Sequence, residues 1–75
     1  MKELIEIIAK SLVNDPSSVK VIEESDDQVL TLKLSVSPDD MGKVIGKQGK
    51  IAKAIRTVVK AAALKENKRV VVEII

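Results

Sequence analysis

Along the first dozen positions apolar residues recur at intervals of three and four: Leu4, Ile5, Ile8 and Leu12, with Ile7 widening the stripe and Glu3, Glu6 and Lys10 opposite. This period predicts an amphipathic helix from Lys2 to about Val13. Asn14-Asp15-Pro16-Ser17-Ser18 stops it, because proline disfavours helix in the residue before it and the polar side chains offer turn hydrogen bonds. The period then changes to two. Leu30, Leu32, Leu34 and Val36 alternate with Thr31, Lys33 and Ser35, which predicts a strand over Val29–Val36 with one face in the core. Val19–Glu24 reads as its neighbour, and Ser25-Asp26-Asp27-Gln28 is short and polar enough for an antiparallel hairpin.

Ser37-Pro38-Asp39-Asp40 has the marks of a helix start: a serine cap, proline at the first position, acids in the first turn, and Asp40 where a capping box has its reciprocal partner. That helix runs to about Ile45. Gly42 inside it costs about 1 kcal/mol relative to alanine, so something passes close there, either a bound strand or a packed helix. A longer helix follows from Lys50 to about Leu64. Ile51, Ile55, Val58, Val59 and Ala62 fall on its packed side, and Lys50, Lys53, Arg56 and Lys60 on the other. Ala61-Ala62-Ala63 would admit a close neighbouring helix or is simply a strong helix former. Asn67 suits a left-handed exit, and Val70–Ile75 is a last, β-branched strand. A strand reached through two helices is most simply parallel to its predecessor, with a right-handed crossover. The expected fold is therefore α+β: a three-stranded mixed sheet with Leu30–Val36 central and three helices on one face.

Composition narrows the function. The 75 residues are 45% apolar yet contain no aromatic, so the core is aliphatic and no ring platform exists for stacking bases. Without cysteine or histidine, thiolate metal sites and the commonest ligand and general base are missing; no metal or cofactor is expected. Asp39 and Asp40 are adjacent carboxylates, but a helix start accounts for them, and catalysis is not expected. Charges within the first apolar stripe break any signal-peptide core, and no run approaches a membrane span, so a soluble cytoplasmic protein is expected.

Net charge is only +2, but it is polarised. Residues 1–40 hold four basic and nine acidic side chains, whereas residues 41–69 hold nine basic ones against Glu66 alone. The positive half is centred on Val44-Ile45-Gly46-Lys47-Gln48-Gly49-Lys50-Ile51. Gly46 can end one helix in the left-handed conformation and Gly49 can turn the chain into the next. Free amides and a helix N-terminus then face one spot, which attracts phosphate. Neither nucleotide fingerprint fits. Gly42 and Gly46 enclose three residues where a Walker loop needs four, and the third glycine of a dinucleotide loop is absent.

The run Val44-Ile45-Gly46-Lys47-Gln48-Gly49 resembles the signature of the KH domain, and the element order resembles its type II, bacterial-style topology over one domain, residues 1–75. Gly46 through Arg56 is similar to the small stand-alone bacterial RNA-binding members of that family. The resemblance implies that four nucleotides of single-stranded RNA or DNA lie in a groove, clamped on their backbone by the Gly-x-x-Gly loop. By position Gly46 and Gly49 are the clamp, Lys47 and Gln48 its variable residues, Ile45 the apolar floor, and Lys43 and Lys50 its flanks. Lys53 and Arg56 extend the cationic face. Many KH sequences carry a large aliphatic where this chain has Ala52, with Ile51 one position early, which alters the local shape of the groove. The resemblance also implies self-association, pairing with a larger KH-containing RNA-binding protein, and a role as RNA chaperone or post-transcriptional regulator linked to cell elongation and division. The rival reading is a protein-assembly subunit in which the fold serves mainly as a homo- or heterodimerisation module.

Overall fold

The computed structural model describes all 75 residues. Its centre is the strand whose alternation is cleanest: β2 (Val29–Ser35) buries Leu30, Leu32 and Leu34 on one face and leaves Thr31, Lys33 and Ser35 half-buried on the other. β1 (Lys20–Ser25) pairs with it antiparallel, with Val21 opposite Leu34 and Ser25 opposite Leu30. β3 (Arg69–Ile74) pairs on the other side in parallel, with Leu30 opposite Val70 and Leu32 opposite Val72. The sheet order is β1-β2-β3, so the expected mixed sheet with β2 in the middle is found, with strand limits shifted by one residue at most.

Three helices, α1 (Lys2–Leu12), α2 (Met41–Ile45) and α3 (Lys50–Leu64), cover the aliphatic face. Fifteen buried side chains form the core, among them Ile5, Leu32, Leu34, Val44 and Val59. Two helical faces are rotated from expectation. On α1 the deepest line is Ile5 and Ala9, while Ile7 stays 65% exposed, since the i, i+4 row through Ile5 turns Ile7 away from the sheet. On α3 the buried row is Ala52, Ile55, Val59 and Ala63, a perfect i, i+3, i+4 series, and Val58 is left 45% exposed. Small alanines let the helix lie close to the sheet where bulkier residues were expected.

The helix start at Ser37 also differs. Neither Ser37 nor Asp40 caps with its side chain; Pro38–Asp40 is a single 3-10 turn leading into α2. Asp40, only 2% exposed, instead reaches across the fold. Its carboxylate accepts the amides of Asn14 (3.3 Å) and Asp15 (3.1 Å), just beyond α1, and the Lys43 ammonium at 3.3 Å. Burial resists ionisation, but those amides and Lys43 outweigh it and hold the Asp40 carboxyl below its ordinary value of 3.8. The hairpin turn is closed similarly: Asp26 accepts the amides of Gln28 and Val29 at 2.8 and 2.7 Å. Asn67 has φ 56°, the left-handed exit expected after α3.

Two outcomes are expected. Leu32→Ala, at a fully buried site in the central strand, should cost roughly 2–5 kcal/mol in urea denaturation, against a total of about 4–11 kcal/mol for a domain of this length; Ile7→Ala should stay within about 0.5 kcal/mol of the parent. Because the folded-state value of Asp40 is depressed, its stabilisation is present above 3.8 and lost as pH falls through the lower folded value. Asp40→Asn should therefore lower the urea midpoint at neutral pH and flatten the acid limb of the stability curve; an unchanged acid limb would contradict the assignment.

Candidate nucleic-acid interface

The Gly-x-x-Gly segment is a 3-10 turn, Lys47–Gly49, set between the end of α2 and the start of α3. Gly46 takes φ 75° and ψ 174°. The positive φ was expected, but this ψ lies outside the left-handed helical well, in an extended region essentially reserved for glycine. Gln48 (φ 57°, ψ 24°) and Gly49 (φ 74°, ψ 15°) form the left-handed pair instead. Gln48 carried no signal for this, since Asn, Asp and His are the side chains enriched there.

The two glycines are needed for different reasons. A Cβ on Gly46 would lie 2.6 Å from Cγ1 of Ile51 and 3.0 Å from its Cβ, so the chain's own side chain fills that slot. A Cβ on Gly49 would meet nothing within 4 Å, and the same holds at Gly42. No packed helix accounts for Gly42, whose surface is open.

Hydrogen bonding then decides which donors remain. The Gly46 amide donates to the Gly42 carbonyl at 2.9 Å, the Gly49 amide to the Gly46 carbonyl at 3.2 Å, and the Lys50 amide to the Lys47 carbonyl. The glycine amides are thus used inside the turn, and the Lys47 and Gln48 amides are left without a backbone acceptor. Of the loop's free amides expected to attract an anion, these two remain, with both side chains exposed.

The cations expected around the loop divide. Lys47, Lys50 and Lys53 are exposed. Lys43 is tied to Asp40. Lys50 borders an apolar groove of about 310 Å³ between α1 and α3, beside Ile8, Leu12, Ile51 and Val58. Arg56 faces the other flank of α3, where its Nε donates to the Val72 carbonyl of β3 at 3.3 Å. Lys53, Arg56 and Lys60, spaced three and four apart, follow that flank. Ile45, 36% exposed, adjoins the loop as the apolar floor would. The periodicity of α3 alone puts its four cations on one side; the rotation of the buried row separates Lys50 from the rest.

No helix is long and apolar enough to cross a membrane. The family model for the KH domain of KhpA and KhpB matches residues 2–74. Over the whole of both chains, the sequence is 72% identical to a protein of Clostridium perfringens named RNA-binding protein KhpA, and 69% identical to the protein so named in Clostridium acetobutylicum. It is 44% identical to the protein of that name in Aquifex aeolicus, over all of this chain and 95% of the other. No solved structure matches it.

The three glycines should separate in thermal or urea denaturation. Gly42→Ala, in a helix with open space, should gain about 0.5–1 kcal/mol. Gly49→Ala should lose about 1–2 kcal/mol from left-handed strain alone. Gly46→Ala should lose most, because strain of about 1–3 kcal/mol is joined by the clash with Ile51. Equal losses at 46 and 49 would contradict the inward packing of Gly46.

Proposed function

The chain belongs to the KhpA/KhpB family of KH domains, and from that membership we propose that it binds single-stranded RNA, or single-stranded DNA of similar shape, by clamping the sugar-phosphate backbone against the Lys47–Gly49 turn. The observation that carries this reading is the pair of unengaged amides at Lys47 and Gln48, with bare surface at Gly49 and Gly42 on either side. Peptide N–H groups without an internal partner favour an anionic acceptor, and absent side chains let a polymer approach. Lys43, Lys47, Lys50 and Lys53 supply the attraction, Ile45 the floor for a base, and Arg56 the continuation along α3. The relatives' shared name, RNA-binding protein KhpA, supports the same polymer. The role is that of an RNA chaperone or post-transcriptional regulator in the cytoplasm, linked to cell elongation and division.

An aromatic-free surface of this size binds modestly, so pairing with a second copy or with a larger KH-containing protein would raise avidity through effective concentration. The apolar groove of Ile8, Leu12, Ile51 and Val58 favours a second reading, the protein-assembly subunit. Val58 tests it. Ala61, also a candidate for a helix contact, lines the opposite groove and does not. If pairing is needed for binding, Val58→Glu should give a monomer by light scattering with weakened RNA affinity; a folded monomer that binds as the parent does would remove that requirement.

The clamp itself is tested by Lys47→Asp combined with Gln48→Asp. Aspartate tolerates the left-handed conformation at 48, so the turn should survive while two negative charges meet phosphate. Affinity for an unpaired oligonucleotide should fall at least about tenfold, and in the parent log K should decline with log salt at about 0.7 per neutralised phosphate. A folded double variant that binds with parental affinity overturns the reading.

A further inference from the structure

We infer that Ile51 is a positioning residue for nucleic-acid binding: seated in the apolar groove between α1 and α3, it keeps Gly46 in its extended, positive-φ conformation and so fixes the direction of the Lys47 and Gln48 amides. The inference rests on the loop reading above and names what preorganises that site.

Glycine has the widest choice of backbone conformations of any residue, so a glycine that must hold one of them needs a constraint from outside its own chemistry. At Gly46 that constraint is a single side chain. The three atoms nearest to where its Cβ would lie are Cγ1, Cβ and Cδ1 of Ile51, at 2.6, 3.0 and 3.0 Å. What they hold is ψ 174°, which sets the direction of the Gly46 carbonyl. That carbonyl accepts the Gly49 amide at 3.2 Å and closes the turn. Rotation of Gly46 into the left-handed helical well, a ψ change of about 130°, would swing the carbonyl away from the Gly49 amide. The Lys47 and Gln48 amides would then lose their common direction.

Ile51 is suited to this task by its chemistry and its place. Branching at Cβ leaves it one strongly preferred χ1 rotamer in a helix, so the side chain is stiff. It is the second residue of α3 and packs against the core, in a groove of about 310 Å³ that Ile8 and Leu12 of α1 also line. Asp40 bonds the amides of Asn14 and Asp15 just beyond the same helix. The segment of α2 and the glycine turn is thus held from α1 at both ends, by Asp40 before it and by Ile51 after it. An ordinary core side chain would behave otherwise. Its truncation lowers stability and leaves the geometry of a distant turn as it was.

The test reads the free turn and its affinity separately, on the parent, Ile51→Ala, Ile51→Val and Leu4→Ala, the last a half-buried side chain of like size near the start of α1. Chemical shifts and relaxation dispersion of the Gly46–Gly49 amides in the protein alone give the fraction of closed turn. Anisotropy with an unstructured tetranucleotide gives the affinity, and so short a ligand fills one site, so that avidity from pairing does not enter. Apparent affinity scales with the population of the competent state, so Ile51→Ala should bind about fivefold more weakly, with the closed fraction reduced by the same factor. Ile51→Val keeps Cβ and Cγ1 against Gly46 and should stay within about twofold of the parent. Leu4→Ala should lose stability and keep both readouts. If Ile51→Ala does not fold, Ile51→Leu, similar in volume but without the branch at Cβ, takes its place with the same expectation. Unmoved turn amides in that variant, or an equal loss of affinity in Leu4→Ala, overturn the inference and leave the loop reading intact. A loosened turn with parental affinity overturns both, and Lys47→Asp/Gln48→Asp would then also bind as the parent does.

Discussion

The contact between Gly46 and Ile51 determines what this small surface can do. With Ile51 seated where a Cβ would be, residue 46 must be glycine and takes a backbone conformation few other residues hold. The turn that follows consumes the amides of Gly46, Gly49 and Lys50 and leaves those of Lys47 and Gln48. One glycine is therefore a matter of internal packing and the other a matter of open surface, and the residues between them carry the outward donors.

The loop is held from behind by an unusual distribution of polar contacts. Asp40 starts the segment leading into α2, and its carboxylate joins that segment to the chain leaving α1, some 25 residues earlier. A buried carboxylate is costly unless fully bonded, and here three donors meet it. In an aliphatic core without aromatics, such a tie contributes direction as well as stability. It also positions Lys43, which connects the fold's one buried charge to α2 just before the glycine turn.

Much of this is legible in the residue pattern. Leu30 to Val36 alternate so cleanly that the central strand and its orientation follow, and Pro16 and Pro38 break the chain where the elements change. The loop is legible too, because two glycines flanked by lysines between helices combine backbone freedom with positive charge at a single point. What escapes the pattern depends on distance or on near-degenerate faces. Asp40 has its partners far away in sequence, so a local capping role looks sufficient. On α3, Val58 beside Val59 and Ile51 beside Ala52 give two stripes of similar hydrophobicity, and the close fit of Ala52 and Ala63 to the sheet decides between them. Gln48 has no reason in its own chemistry to be left-handed; its neighbours impose that.

On the function proposed, binding would be a property of two peptide groups more than of any side chain, with lysines adding range and an aliphatic floor adding fit. Amide chemical-shift mapping of the intact protein with an unpaired oligonucleotide tests this most directly. The Lys47 and Gln48 amides should move furthest, ahead of those of Gly46 and Gly49, whose hydrogens are already bonded inside the turn. Shifts confined to other regions, with residues 46–49 silent, would contradict it.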